Sequence, residues 1–218
     1  MQTSFAAARQ HMIESQVRTN KVLDERLIQA MRDLPREAFV PESLHARAYV
    51  DDDLPLGGGR YLIEPMVIAR LLQTADVRAT DNTLSVAAGT GYAAALLAKL
   101  ASSVVAVESE TALGDRGIAA LAHLGIPNVI WLSSDPTEGA AKHGPYDVIL
   151  IDGGVEVVPQ ALLDQLAEGG RLVAVQREGR MGQAVLLQKD RGTVSRRILF
   201  DANVPLLSAF AKPQTFTF

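Results

Sequence analysis

Cysteine is absent from this sequence of 218 residues. Its absence excludes disulfide bonds, thiolate metal ligands and cysteine nucleophiles. Histidine occurs four times, and its spacing fits no metal-ligand motif; the positions are His11, His45, His123 and His143. We therefore expect structural or surface roles for the histidines and no metal cofactor.

Long apolar runs and long basic runs are also absent. No stretch of eighteen apolar residues occurs, which predicts that no helix spans a membrane. The N-terminal segment MQTSFAAARQHMIESQ lacks the apolar centre of a secretory signal. A net charge of −4 argues against a nucleic-acid backbone as the main partner. We expect a soluble cytoplasmic protein with no membrane or nucleic-acid partner, whose oligomeric state the sequence leaves open.

Apolar residues make up 48% of the chain, enough to bury a substantial core. In the first forty residues they recur at roughly helical spacing, and Pro35 is expected to end the second helix. The stretch FVPESLHARAYVDDDLPLGGGRYLIEP, rich in Gly, Pro and Asp, is typical of a long loop or lid.

Short apolar strands then alternate with helices, a pattern that favours a parallel sheet covered on both faces. The predicted helices are 66–74, 92–100, 111–124 and 160–166, and the predicted strands are 82–86, 103–107, 129–132, 147–151 and 170–175. Segments 184–188 and 195–199 indicate an antiparallel hairpin. The sequence predicts an α/β, doubly wound Rossmann-like fold with a mostly parallel central sheet, a helical N-terminal extension and a C-terminal antiparallel hairpin. We expect a single compact domain, in which residues 1–75 pack on a core of residues 76–218.

A glycine turn follows the first strand of the predicted core. The letters AAGTGY place Gly89 and Gly91 where the backbone bends toward a helix N-terminus, at the sheet edge where ligands bind. Glu108 ends the next strand, about twenty residues after the turn begins, at the position where an acid accepts hydrogen bonds from ribose hydroxyls. The pattern predicts a nucleoside site, although Glu108 could instead be a solvated carboxylate at a helix cap.

Two more acids follow later strands. Asp135 could accept a hydrogen bond from an adenine amino group or simply open an Asp-Pro turn. Asp152 has no identifiable oxygen partners for a metal ion, so its role stays open. Trp131 could belong to the core or to the wall of the cleft. The run Asp51-Asp52-Asp53 fits a solvated loop better than a cation site.

Several segments together resemble the protein-L-isoaspartate O-methyltransferase family. LPREAFVPE is similar to the family's Val-Pro-Arg-Glu-x-Phe-Val, and LPLGGGRYLIEP to its Leu-Pro-Ile-Gly-x-Gly-Gln-Thr-Ile-Ser-Gln-Pro. AAGTGY resembles its Gly-Thr-Gly-Ser-Gly-Tyr turn, and VVAVESE, LAEGGRLVAV and NVPLL resemble later segments in the same order. The resemblance implies a class I methyltransferase that uses S-adenosyl-L-methionine and methylates an isoaspartyl-containing or other carboxylate-bearing peptide or protein.

The resemblance also implies positions for both ligands. The cofactor is expected at Ser85, Ala87, Ala88, Gly89, Thr90, Gly91, Glu108 and Asp135. The substrate loop is expected at Tyr61, Leu62, Ile63, Glu64 and Pro65. No catalytic residue is assigned, because Ile63 occupies the position of the family's serine, which holds the substrate carboxylate.

Other departures from the family pattern affect the cofactor site. Ser85 replaces an acid, Ala87 the first glycine, and Pro136 a glycine, whereas Asp152 stands among residues that are small and uncharged in the family. We expect weaker cofactor binding and slow methyl transfer to isoaspartyl peptides. The alternative is a degenerate member that binds the cofactor or a partner with little or no activity, and a nicotinamide-dependent oxidoreductase is a weaker alternative.

Overall fold

The computed structural model describes residues 4–212. Residues 1–3 and 213–218, which the sequence assigns to the N-terminal region and the core, lie outside the described residues. The α-helices are Phe5–Met12 (α1), Glu25–Asp33 (α2), Pro65–Ala75 (α3), Tyr92–Leu100 (α4), Thr111–His123 (α5) and Gln160–Asp164 (α6). Short π- and 3₁₀-helical turns lie at Ile13–Val17, Arg18–Asn20, Arg36–Phe39, Glu42–Arg47, Ala141–His143 and Ser208–Phe210.

The strands form one large sheet and one small hairpin. They are Leu54–Gly57 (β1), Arg60–Leu62 (β2), Asn82–Val86 (β3), Ser103–Val107 (β4), Val129–Leu132 (β5), Tyr146–Val155 (β6), Leu166–Glu178 (β7), Met181–Asp190 (β8) and Thr193–Asp201 (β9). The large sheet has the order β5-β4-β3-β6-β7-β8-β9. Pairing is parallel from β5 to β7 and antiparallel from β7 to β9. This arrangement confirms the predicted fold class.

The strand order reverses between β3 and β6. The chain passes from β3 outward to β4 and β5, then returns to place β6 on the other side of β3. Ser85 pairs with Leu150 and Val86 with Ile151, so the segments that follow these two strands leave the sheet side by side. In open α/β sheets the crevice at such a switch point is the usual ligand site.

Two apolar clusters cover the two faces of the sheet. On one face Val104 and Leu150 pack with the N-terminal helices and with α3, α4 and α5. On the other face Leu84 and Ile151 pack with Leu162 of α6 and with Phe210. The N-terminal helices therefore share a continuous core with the sheet, as expected for a helical extension packed on it. The exact division at residue 75 stays a prediction.

The segment predicted as a long loop is partly regular. Its second half forms the β1–β2 hairpin, in which Leu54, Leu56, Arg60 and Leu62 are buried while the intervening side chains are exposed. Gly57, Gly58 and Gly59 all have positive φ and make the turn. The glycines and aspartates conceal this alternation in the sequence, since they lower the local strand propensity. The two hairpin strands are also longer than the predicted segments 184–188 and 195–199, since β8 is Met181–Asp190 and β9 is Thr193–Asp201.

Candidate active site

The turn between β3 and α4 has the backbone conformation of a ligand-binding glycine loop. Gly89 and Gly91 have φ values of +57° and +89°, which L side chains rarely adopt. A Cβ atom on Gly89 would lie 3.1 Å from Leu56 Cδ1, and one on Gly91 would lie 3.1 Å from the Trp131 ring. Ala87 also has a φ of +57°, so the left-handed conformation is kept even though alanine replaces glycine there.

Glu108 holds this turn to the next strand. Its carboxylate is buried, with 1% of the residue exposed, so the alternative of a solvated carboxylate is wrong. Oε2 accepts a hydrogen bond from the Gly89 N–H at 2.8 Å, and Oε1 accepts one from the Glu110 N–H at 2.9 Å. The acid predicted to bind a ribose thus lies directly beside the predicted glycine turn.

Arg60 of the β1–β2 hairpin completes this end of the crevice. It is 6% exposed, and its Nε donates to Glu108 Oε2 at 3.1 Å while Nη2 donates to Ser109 Oγ at 3.2 Å. The hairpin turn approaches the same helix start, because a Cβ on Gly58 would lie 3.0 Å from Glu110 Cγ. Arg60 was not predicted as a site residue. The available signal was that arginine stands where the family loop has glutamine.

Arg36 occupies the other end of the crevice and is fully buried. Its Nε donates to the carbonyl of Ala48 at 2.8 Å, Nη2 donates to the carbonyl of Ile63 at 2.5 Å, and its Cζ lies 5.0 Å from the centre of the Tyr92 ring. Its Nη1 has no hydrogen-bond partner. Burial lowers the pKa of Arg36 from its ordinary value. Arg36 lies in the LPREAFVPE segment but was not predicted as a site residue.

Ser85 lies next to the last residue of β3, and Asp152 lies in β6 directly after the last residue that pairs with β3. Asp152 is 6% exposed, and burial raises the pKa of its carboxyl to about 8. The charges of Arg36 and Arg60 lower this pKa, and those of Glu108 and Asp53 raise it. The Ser85 hydroxyl is buried without a hydrogen-bond partner, as is that of Tyr92.

The predicted substrate loop lies beside Arg36. Ile63 is 2% exposed, and only its backbone carbonyl makes a polar contact with Arg36. Leu62 is buried, Tyr61 is exposed, and Pro65 occupies the first turn of α3. Burial first, and then the charges of the Asp51–Asp53 run, together raise the pKa of Glu64 to about 7.

The remaining predicted residues are more dispersed. Asp135 is exposed, and its Oδ1 accepts hydrogen bonds from the Thr137 N–H and hydroxyl at 2.8 and 2.7 Å, the geometry of a turn opener. Its role beside adenine stays a prediction. Trp131 is partly buried and packs against α5, where a Cβ on Gly117 would lie 2.5 Å from its ring; its place in the cleft wall stays a prediction. Among residues 4–212, no cluster of three or more His, Asp or Glu side chains could hold a metal ion.

Comparison with known proteins decides between the remaining interpretations. The family model described as protein-L-isoaspartate(D-aspartate) O-methyltransferase matches residues 7–208. The chain belongs to this family. It is therefore an S-adenosylmethionine-dependent O-methyltransferase, as the resemblance implies.

Individual relatives agree over most of the chain. A protein-L-isoaspartate O-methyltransferase from Koribacter versatilis is 39% identical over 94% of this chain and 93% of its own length. One from Roseiflexus sp. is 37% identical and covers 95% of both chains. The match to a solved protein-L-isoaspartate O-methyltransferase covers 93% of this chain and 67% of the solved chain, at 25% identity and a TM-score of 0.80. The Plasmodium falciparum structure, at 18% identity and a TM-score of 0.80, supports the fold.

The residues present fit the family's cofactor. Glu108 supplies a buried carboxylate next to the glycine turn, where a ribose needs an acceptor. At the other end, Arg36 Nη1 and the hydroxyls of Ser85 and Tyr92 are buried polar atoms without partners. Buried polar groups are nearly always hydrogen-bonded, so unsatisfied ones in a crevice indicate a place for a polar ligand.

Proposed function

We propose that this chain transfers the methyl group of S-adenosylmethionine to the side-chain carboxylate of an isoaspartyl residue in a peptide or protein. The observation that carries the proposal is the position of Glu108, which is buried and bonded to the glycine turn at the switch point of the sheet. The family model matches residues 7–208 and so includes this site. Curated relatives that cover nearly the whole chain carry the corresponding name. No finding favours the degenerate alternative or a nicotinamide-dependent oxidoreductase.

The cofactor's adenosine is assigned to the Glu108 end of the crevice. A carboxylate offers about four acceptor positions, and Gly89, Glu110 and Arg60 already use three of those on Glu108. Two ribose hydroxyls need two positions. Arg60 would therefore have to release Glu108 to leave two acceptor positions for the ribose.

The acceptor end is assigned to residues 61–65. Methyl transfer to a carboxylate is an in-line displacement, and the acceptor is already ionised at neutral pH because its reference pKa is about 4. No general base is needed, so the protein contributes positioning and exclusion of water. Ile63 excludes water but offers no side-chain hydrogen bond, which predicts a slower reaction than in relatives with serine at this position.

The experiment that tests the proposal is transfer of a radiolabelled methyl group to an isoaspartyl peptide, with the matching aspartyl peptide as the control acceptor. We expect transfer to the isoaspartyl peptide alone. Ile63→Ser should accelerate it about ten- to a hundredfold, the range for about 1–3 kcal/mol from a restored hydrogen bond. Leu62→Ser is the matched control, since it adds a hydroxyl to the same buried loop and should bring no acceleration. A parent chain that binds cofactor but methylates neither peptide would refute the assigned acceptor.

A cytoplasmic location and the absence of a nucleic-acid partner stay predictions. Among residues 4–212, no helix is long and apolar enough to cross a membrane.

A further inference from the structure

Two neighbouring strands of the switch point differ from the family in which of them carries an acid. Ser85 stands on β3 where the family has an acid, and Asp152 stands on β6 where the family has small uncharged residues. Ser85 is paired with Leu150, and Asp152 directly follows Ile151, the partner of Val86. The acid missing from one strand of the switch point is thus present on the strand beside it.

Asp152 is a buried acid without a partner in the protein. Within residues 4–212 its carboxylate accepts no hydrogen bond and forms no salt bridge. Arg36 and Arg60 are close enough to influence its ionisation but not to pair with it. Burial without a protein partner favours the protonated form of this carboxyl, and a ligand that supplies a donor would favour the ionised form.

An irregularity in the sheet holds Asp152 at the crevice. Leu150 pairs with Val173 and Gly154 pairs with Val175, so three residues of β6 lie opposite one residue of β7. Bulges of this kind redirect side chains and are common beside active sites. Gly154 is anchored to the NVPLL segment, because its N–H donates to the Pro205 carbonyl at 2.9 Å and its carbonyl accepts from the Leu207 N–H at 2.8 Å.

Arg36 and Arg60 carry positive charge near Asp152, and Glu108 and Asp53 carry negative charge. Both guanidinium groups already donate to other acceptors, Arg36 to the carbonyls of Ala48 and Ile63 and Arg60 to Glu108. The Asp152 carboxylate is therefore free to accept from a cationic group of a ligand. With the ribose at Glu108, the amino-acid end of the cofactor, which carries an ammonium group, would reach the switch point between β3 and β6. We propose that Asp152 binds the α-ammonium of the cofactor's methionine moiety, replacing the acid that the family carries at the position of Ser85. This proposal rests on the cofactor site assigned under the proposed function.

Two cofactor analogues test the proposal. S-adenosylhomocysteine contains the α-ammonium, whereas 5′-methylthioadenosine contains the same nucleoside and a thioether but no amino-acid group. Calorimetry on the parent and Asp152→Asn should show S-adenosylhomocysteine binding weakened about ten- to a hundredfold, the range for a charged hydrogen bond, with 5′-methylthioadenosine almost unaffected. Asp147→Asn is the matched control on the same strand. Its carboxylate accepts from the Asn82 N–H far from the crevice, so the ratio of the two affinities should not change.

Three results would overturn the proposal. Equal weakening of both analogues would assign Asp152 a structural role, and unchanged binding of both would assign it none. Weakening confined to S-adenosylmethionine, with S-adenosylhomocysteine unaffected, would place the carboxylate at the sulfonium instead.

A second variant keeps the proposal testable if Asp152→Asn fails to fold. Ser85→Glu combined with Asp152→Gly restores the family arrangement, and it should retain the parent's preference for S-adenosylhomocysteine over 5′-methylthioadenosine. Loss of that preference in the folded double variant would contradict a shared role for the two positions. These measurements need no methyl acceptor, so an isoaspartyl peptide that is not methylated refutes the proposed function while leaving this assignment intact.

Discussion

The two ends of the crevice differ in how their buried polar groups are satisfied. At the Glu108 end, a carboxylate, an arginine and two backbone N–H groups bond to one another. At the Asp152 end, Arg36 Nη1 and the hydroxyls of Ser85 and Tyr92 are buried without hydrogen-bond partners in the described chain, and Asp152 is 6% exposed. The first end is organised by the protein itself, whereas the second depends on its ligand to complete it.

This difference predicts different consequences for the loss of an acid at each end. Removal of Glu108 leaves Arg60 as a buried charge without its partner, a situation that destabilises proteins strongly. Removal of Asp152 takes away a group that has no partner, so the unliganded protein should lose little stability. The comparison can be tested by four measurements with effects of decreasing size.

The largest effect is expected from Glu108→Ala. The free energy of unfolding should fall by about 3 kcal/mol because Arg60 is left unpaired, and S-adenosylhomocysteine binding should weaken by about 1.5–3 kcal/mol. Chemical denaturation and calorimetry measure the two quantities. Adding Arg60→Ala should recover part of the stability but none of the binding. An unchanged stability in the single variant would show that the ion pair is not formed in solution.

The next effect is a pH dependence of binding at the Asp152 end. The pKa of Asp152 is about 8 in the unliganded protein, so its carboxyl is mostly protonated below that pH. An ammonium ligand favours the ionised form, and binding must therefore release a proton. S-adenosylhomocysteine affinity should rise about tenfold from pH 6.5 to 8, while 5′-methylthioadenosine affinity stays flat. Asp152→Asn should abolish the pH dependence of S-adenosylhomocysteine affinity. A parent chain whose affinity does not change with pH would contradict the coupling between ammonium binding and ionisation of Asp152.

A smaller pH effect is expected at the acceptor loop. The pKa of Glu64 is about 7, so its carboxyl gains negative charge between pH 6 and 8. An ionised Glu64 repels an anionic acceptor, and the KM for an isoaspartyl peptide should rise about threefold over this range through charge repulsion near the surface. Glu64→Gln, which restores the family residue, should keep the KM constant. An equal rise of the KM in the parent and in Glu64→Gln would show that another group titrates.

The smallest effect is expected at the glycine turn. Ala87 has a φ of +57°, so Ala87→Gly should relieve backbone strain and raise the free energy of unfolding by about 0.5 kcal/mol. Ala95→Gly, inside α4, serves as the opposite control and should lower stability by about 1 kcal/mol. If both substitutions destabilise the chain, the strain at Ala87 is compensated by its packing.

The sequence by itself determined the sheet, the glycine turn and Glu108, because these depend on local periodicity and on turn residues whose backbone requirements are short-range. It also determined the family, since the matching segments keep their order along the chain. It did not predict the β1–β2 hairpin, whose glycines conceal an alternating pattern.

The tertiary structure alone decided what each end of the crevice contains. Arg60 and Glu108 are 48 residues apart, and Arg36 reaches the carbonyl of Ile63 across 27 residues. No local pattern encodes such meetings, because they depend on how the N-terminal lobe and the hairpin pack over the switch point. The same packing determines that Arg60 finds a partner for its charge and that Asp152 is buried without one.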